Sequence, residues 1–137
     1  MKFQRIAVIA AVIGCASCAN MYIDPIETMR NQNAQNISQL SVGMSKQDIY
    51  QIMGTETAGG LLGPIMHTRI PNPYRNETLD GVDGKSYEIL FYYTRVNSHD
   101  DVVTDDELTP VVLQNGRVVG IGYAFLGQRV PKYGTLR

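Results

Sequence analysis

The chain has 137 residues, with 12 Lys and Arg against 13 Asp and Glu, a formal charge of −1. That length suits one domain with a modest core and leaves little room for a second. No basic stripe is present, which argues against nucleic acid as a partner, while eight Tyr, 13 Gly and no Trp suit short strands and tight turns.

Lys2 and Arg5 precede an unbroken apolar run from Ile6 to Ile13, which ends on small residues and a cysteine. This is the order of a secretory signal peptide, and the run is too short to span a bilayer as a helix. Val12-Ile13-Gly14-Cys15 resembles the lipobox of bacterial lipoproteins. The resemblance implies that residues 1–14 are removed, that the Cys15 thiol carries a diacylglyceryl group and that the new amino terminus is acylated. Each buried methylene contributes about 0.8 kcal/mol and a single chain holds only marginally, so several acyl chains make the durable membrane tether. Cys18 is the second choice for lipidation, because Cys15 three places upstream fits the motif less well than Val12 does. With Cys15 modified, Cys18 is left as a lone thiol. A plain secretory signal and a retained hydrophobic N-terminus are the alternatives. Ala16 stands where an aspartate would resemble the inner-membrane retention signal, so the resemblance points to the outer membrane, facing the periplasm. Loss of Lys2 and Arg5 leaves 10 basic against 13 acidic residues, a mature charge of −3.

Residues 15–27 read as the lipidated cysteine and a polar tether, and the amide-rich stretch that follows becomes helical over about 28–39. Met29, Asn33, Asn36, Ile37 and Leu40 lie at helical spacing, a thin stripe. The strongest local signal is Gly43 to Gly54. Ser45 and Asp48 form a shortened capping box, Met44 and Ile49 stand at the staple positions, and Ile49, Ile52 and Met53 make one face of a helix over 46–53 that Gly54 ends. Residues 55–66 read as a Gly/Pro loop, with Ile65 to Ile70 a short edge strand. From Ser86 the alternation of Tyr87, Ile89, Phe91 and Tyr93 predicts a half-buried strand. Leu108 to Gln114 and Arg117 to Tyr123 flank Asn115-Gly116, a type I′ hairpin signal that pairs Leu113 with Val118 and Val112 with Val119. Ile121 then falls on the Val112 side and Gly120 on the other, where Gly120 and Gly122 let a helix approach the sheet closely. The domain runs over 28–126, and 127–137 reads as a loose basic tail.

Leu40-Ser41-Val42-Gly43-Met44-Ser45, followed by Ile49 and Met53-Gly54, resembles small outer-membrane lipoproteins of the BamE (SmpA/OmlA) type. Asn72-Pro73-Tyr74, Tyr92-Tyr93-Thr94, Asp106-Glu107-Leu108-Thr109-Pro110 and Asn115-Gly116 look like a group of bacterial lipoproteins with that topology. The resemblance implies an α+β fold in which two short N-terminal helices pack on one face of an antiparallel meander of about three strands. It also implies an accessory role in outer-membrane assembly. The long Gly/Pro insertion and the acidic loop depart from BamE itself.

Chemistry is sparse. His67 and His99 are the two histidines, lie 32 positions apart and have no Cys or second His at metal spacing, so no metal and no cofactor are expected. Gly59-Gly60 to Gly63 lacks the lysine and helix that phosphate cradling needs. Asp100, Asp101, Asp105, Asp106 and Glu107 crowd one loop, but their spacing does not match a calcium loop. That loop reads as a solvated segment or, at Asp105, Asp106 and Glu107, as an acidic docking patch for a basic partner. Tyr74, Tyr87 and Tyr93 read as packing or, where exposed, as a contact surface. The expectation is a lipid-anchored envelope protein that binds envelope proteins and has no catalysis of its own. A periplasmic ligand-binding or inhibitor domain is the alternative, and an enzyme ranks third.

Overall fold

The computed structural model describes residues 24–62, 66–98, 100 and 102–134, and only the backbone of 61, 62, 66 and 67. Helix α1 (Pro25–Asn36) starts where Asp24 caps it, the Asp24 side chain accepting from the Ile26 amide at 2.9 Å with Pro25 in the first turn. It therefore begins three residues before the predicted 28, and the end of the predicted span, Ile37–Gln39, is a 3₁₀ turn. The domain accordingly takes in Asp24 to Glu27, which the sequence pattern assigns to the tether. Helix α2 (Lys46–Met53) carries the expected capping box, Ser45 Oγ accepting from the Asp48 amide at 3.2 Å and Asp48 Oδ2 accepting from the Ser45 amide at 2.9 Å. Gly54 follows at φ +76°.

The span read as a Gly/Pro loop holds strand β1 (Ala58–Leu62), which pairs antiparallel with β2 (Met66–Ile70), the short strand expected over 65–70. Paired glycines at Gly59 and Gly60 hide the first strand from any propensity argument. Gly60 is needed because its missing Cβ would lie 2.0 Å from Asp24 Oδ1. The main sheet is a four-stranded meander of β3 (Arg75–Asp80), β4 (Ser86–Tyr93), β5 (Leu108–Gln114) and β6 (Arg117–Ile121), in that order. The expected three strands thus become four, plus the separate hairpin. Strand β3 escapes prediction because it is an edge strand that exposes Asn76, Thr78 and Asp80.

Strand β4 is buried on both faces, so its alternation separates two cores and does not divide core from solvent. On one face Tyr87, Ile89, Phe91 and Tyr93 pack with Ile26 and Met29 of α1 and with Leu126, Val130 and Tyr133. On the other, Leu90, Tyr92, Val111, Leu113 and Val118 pack with Ile49 and Met53 of α2 and with Leu40. The two N-terminal helices therefore contribute to opposite cores, not to the same face as predicted. The missing cover is supplied by the C-terminus. Helix α3 (Tyr123–Arg129) and a 3₁₀ turn, Pro131–Tyr133, bury Leu126, Val130 and Tyr133, so the tail expected to be loose is packed as far as Tyr133. Fully burying side chains of this size stabilises by roughly 1.5–3 kcal/mol each, enough to hold a short segment down.

Asn115 (φ 52°) and Gly116 (φ 73°) both take positive φ, as a type I′ turn requires. Leu113 opposes Val118 as predicted, but a bulge between Val112 and Leu113 sets Val112 against Gly120 and Val111 against Ile121. The extra residue, Val119, moves Ile121 into the α2 core and turns Gly120 toward α3. There the Phe125 ring lies where a Cβ would be, 2.2 Å from its nearest ring carbon, so the close approach of a helix to glycine occurs on the opposite face from the one predicted. The free side of β6 is partly closed by residues 43–46, whose backbone bonds to Val118 and Gly116. Among the described residues no helix is long and apolar enough to cross a membrane.

Candidate functional site

Two asparagines of α1 tie it to its neighbours, Asn36 to the end of α2 and Asn33 to Asn72 and the end of β4. Asn36 Nδ2 donates to the Ile52 carbonyl at 2.8 Å. Asn33, 1 % exposed, forms a reciprocal amide pair with Asn72, with Nδ2 to Oδ1 distances of 3.0 and 3.2 Å. The second hydrogen of each amide is also used, Asn33 donating to the Tyr93 carbonyl at 3.0 Å and Asn72 to the Met53 carbonyl at 2.7 Å. Ile52 and Met53 carry two of the carbonyls that a helix leaves unpaired at its C-terminus. This junction therefore locks α1, the end of α2, the Asn72-Pro73 turn and the end of β4 together. The Asn72-Pro73 peptide bond is cis.

Above the junction lies an open groove of about 930 Å³. Thr28, Met29 and Gln32 of α1, Tyr50 and Met53 of α2 and the stretch from Gly54 to Gly59 form its walls, and Asn72 also lines it. Among its lining residues the one charge is Glu56, which is exposed and makes no ion pair or side-chain hydrogen bond to a described residue. The nearby ammonium of Lys46, over the Tyr50 ring at 5.6 Å from its centre, is already held by Glu88. The groove was not legible in the sequence, because its walls come from α1 and from a span that reads as loop.

The residues proposed from sequence as a contact surface do not converge on it. Tyr87 is buried and donates to Asp83 Oδ2 at 2.6 Å, a bond that raises its pKa above the usual tyrosine value. Tyr93 is buried beneath Arg30, 5.9 Å from its ring centre, and Tyr74 is half-buried against the same core. Tyr87 and Tyr93 are packing residues because β4 is covered on both faces. The acidic loop is likewise occupied internally. Glu107, 2 % exposed, accepts from the amides of Asn97 at 2.7 Å and Thr104 at 3.2 Å, closing a Thr104-to-Glu107 capping box that its spacing already signals. Asp106 is bonded by Thr104 and Asn97, which hold its carboxyl below the ordinary value. Asp105 pairs with Arg75 at 2.7 Å, and Arg75 lies 4.0 Å from the Phe91 ring centre. Tyr133 donates to Glu77 at 2.8 Å and Tyr123 to the Asp105 carbonyl at 2.7 Å, so these charges clasp the C-terminus and the loop onto β3.

Cys15, Cys18, His67 and His99 lie outside the described residues or side chains. Among those described, no group of three or more His, Cys, Asp or Glu is placed to hold a metal ion.

No curated protein and no solved structure matches the chain. A family model, described as a protein of unknown function (DUF3192), matches residues 64–128. That stretch takes in β2, the four-stranded sheet, Asn72 and most of α3 and leaves out α1, α2 and all of β1, so the chain is similar to this family across its sheet, whereas the groove walls lie outside the match.

Proposed function

We propose that the protein is a lipid-anchored component of the bacterial cell envelope whose α+β domain is a protein-interaction module, without catalysis of its own and accessory to outer-membrane assembly or maintenance. The observation that carries this reading is the place of the groove. Its α1 wall begins at Pro25, ten residues beyond Cys15. Ten residues span at most about 36 Å. Lipid at Cys15 would hold the groove that close to the bilayer and raise its effective concentration for membrane partners.

In-cell photocrosslinking tests this, with the probe placed in turn at Gln32 on the groove wall, Val42 in the turn before α2 and Thr78 on the edge strand. Protein adducts are expected from the wild-type chain at one or more positions and are expected to fall sharply in a Cys15→Ser background. Equal adducts from Cys15→Ser would refute the role of the anchor, and no adduct at any position would refute the interaction module. The alternative of a periplasmic small-ligand domain rests on the same groove, whose volume lies in the range of ligand sites. Its open, trough-like form suits an extended chain better.

A further inference from the structure

One wall of the groove has backbone to spare. From Thr55 to Thr57 the chain is exposed and lies outside helix and strand, and its amides and carbonyls bond to no described residue, although it runs directly into paired strand β1. The groove is also lined by the half-buried Tyr50, with the largely buried Met29 and Met53, as its apolar part, and by the exposed amide of Gln32. Glu56 adds a negative charge with no partner among the described residues. An extended peptide satisfies all three features at once. Its backbone bonds to the open wall, a side chain settles against Tyr50, and a cation answers the carboxylate.

We propose that the groove seats an extended segment of a partner protein, added as a strand beside Thr55 to Thr57 with a lysine or arginine side chain of that segment paired to Glu56. This rests on the reading of the domain as an interaction module and names the chemistry of its partner.

The test uses the full mature chain with its anchor, in detergent, and a dye-labelled seven-residue peptide of alternating valine and threonine with a central lysine, read by fluorescence polarisation. A second peptide carries glutamate at the centre, and a third is N-methylated at alternate amides. The lysine peptide is expected to bind, with the other two about tenfold weaker or worse, since an unmade hydrogen bond or a like charge each costs that order. Glu56→Lys should reverse the preference between the lysine and glutamate peptides, and Glu56→Gln should erase it. A photoreactive version should attach within 54–59.

Equal affinity for all three peptides, attachment elsewhere, or no binding overturns the proposal. So does binding of a fluorescent fatty acid in the groove while the peptide is inert, which would make it a lipid seat. Peptide failure alongside anchor-dependent crosslinks from Val42 or Thr78 would overturn this assignment alone and leave the interaction module standing.

Discussion

Replacing Asn72 by alanine should cost the domain a large share of its stability. The side chain is 6 % exposed, and its loss strips partners from three groups, namely the Met53 carbonyl, Asn33 Oδ1 and one hydrogen of the Asn33 amide. A buried polar group left unpaired costs about 1–3 kcal/mol. Because the groove borders Asn72, water can reach part of the vacated space and the lower half of that range applies. The sum is roughly 3–6 kcal/mol, against the 5–15 kcal/mol typical of a whole domain. Asn33→Ala should cost a similar amount, since it also frees the Tyr93 carbonyl. In the double variant the damage overlaps, so the cycle should show a coupling of about 1.5–3 kcal/mol. Urea unfolding of the four proteins, followed by circular dichroism, measures this. A single-variant loss below about 1 kcal/mol, or additivity within about 0.5 kcal/mol, would refute the claim that this amide pair locks the helices to the sheet.

Gly120→Ala should destabilise by about 1–3 kcal/mol, because its Cβ would stand 2.2 Å from the Phe125 ring; thermal melts should show a smaller loss in a Phe125→Ala background, and an equal loss would count against the contact. Burial alone would raise the pKa of Glu88, but bonds from Lys46 and Asn76 outweigh it and hold the carboxyl below its ordinary value. The stabilisation is therefore present above the unfolded pKa of about 4.3 and is lost as pH falls through the lower folded value. The stability gap between wild type and Glu88→Gln, under about 1 kcal/mol at neutral pH, should shrink as pH falls below about 4, and a pH-independent gap would contradict the pairing. The Tyr92 hydroxyl is buried with no partner among the described residues, so Tyr92→Phe should be neutral or stabilise by up to about 1 kcal/mol. A comparable loss in denaturant titration would show a bonded hydroxyl instead.

What the sequence made legible is what short-range chemistry decides. The box of Ser45 and Asp48 and the turn at Asn115-Gly116 each close within four residues, and both are present. Glu107 is open to the same reading, since Thr104 precedes it at capping-box spacing, but the four other acids of the loop make its pattern read as a charge cluster. The bulge at Val119 is another matter, because it is set by Phe125 lying on Gly120 and by the packing of Ile121, neither of which any local pattern specifies. Strand β3 was hidden by its outward Asn76, Thr78 and Asp80, and the two-sided burial of β4 by an alternation that looks the same whether one face or both are covered. The site itself depends on Asn33 and Asn72, 39 positions apart and unremarkable alone within amide-rich and proline-rich stretches.

Everything proposed about partners presumes that the domain is tied to a membrane at Cys15. Mass spectrometry of the N-terminal peptide from the protein isolated from its own envelope addresses this directly. The expected species begins at Cys15, lacks residues 1–14 and carries acyl mass on both the thiol and the amino group. A peptide that begins elsewhere, or a Cys15 terminus with no acyl adduct, would contradict it.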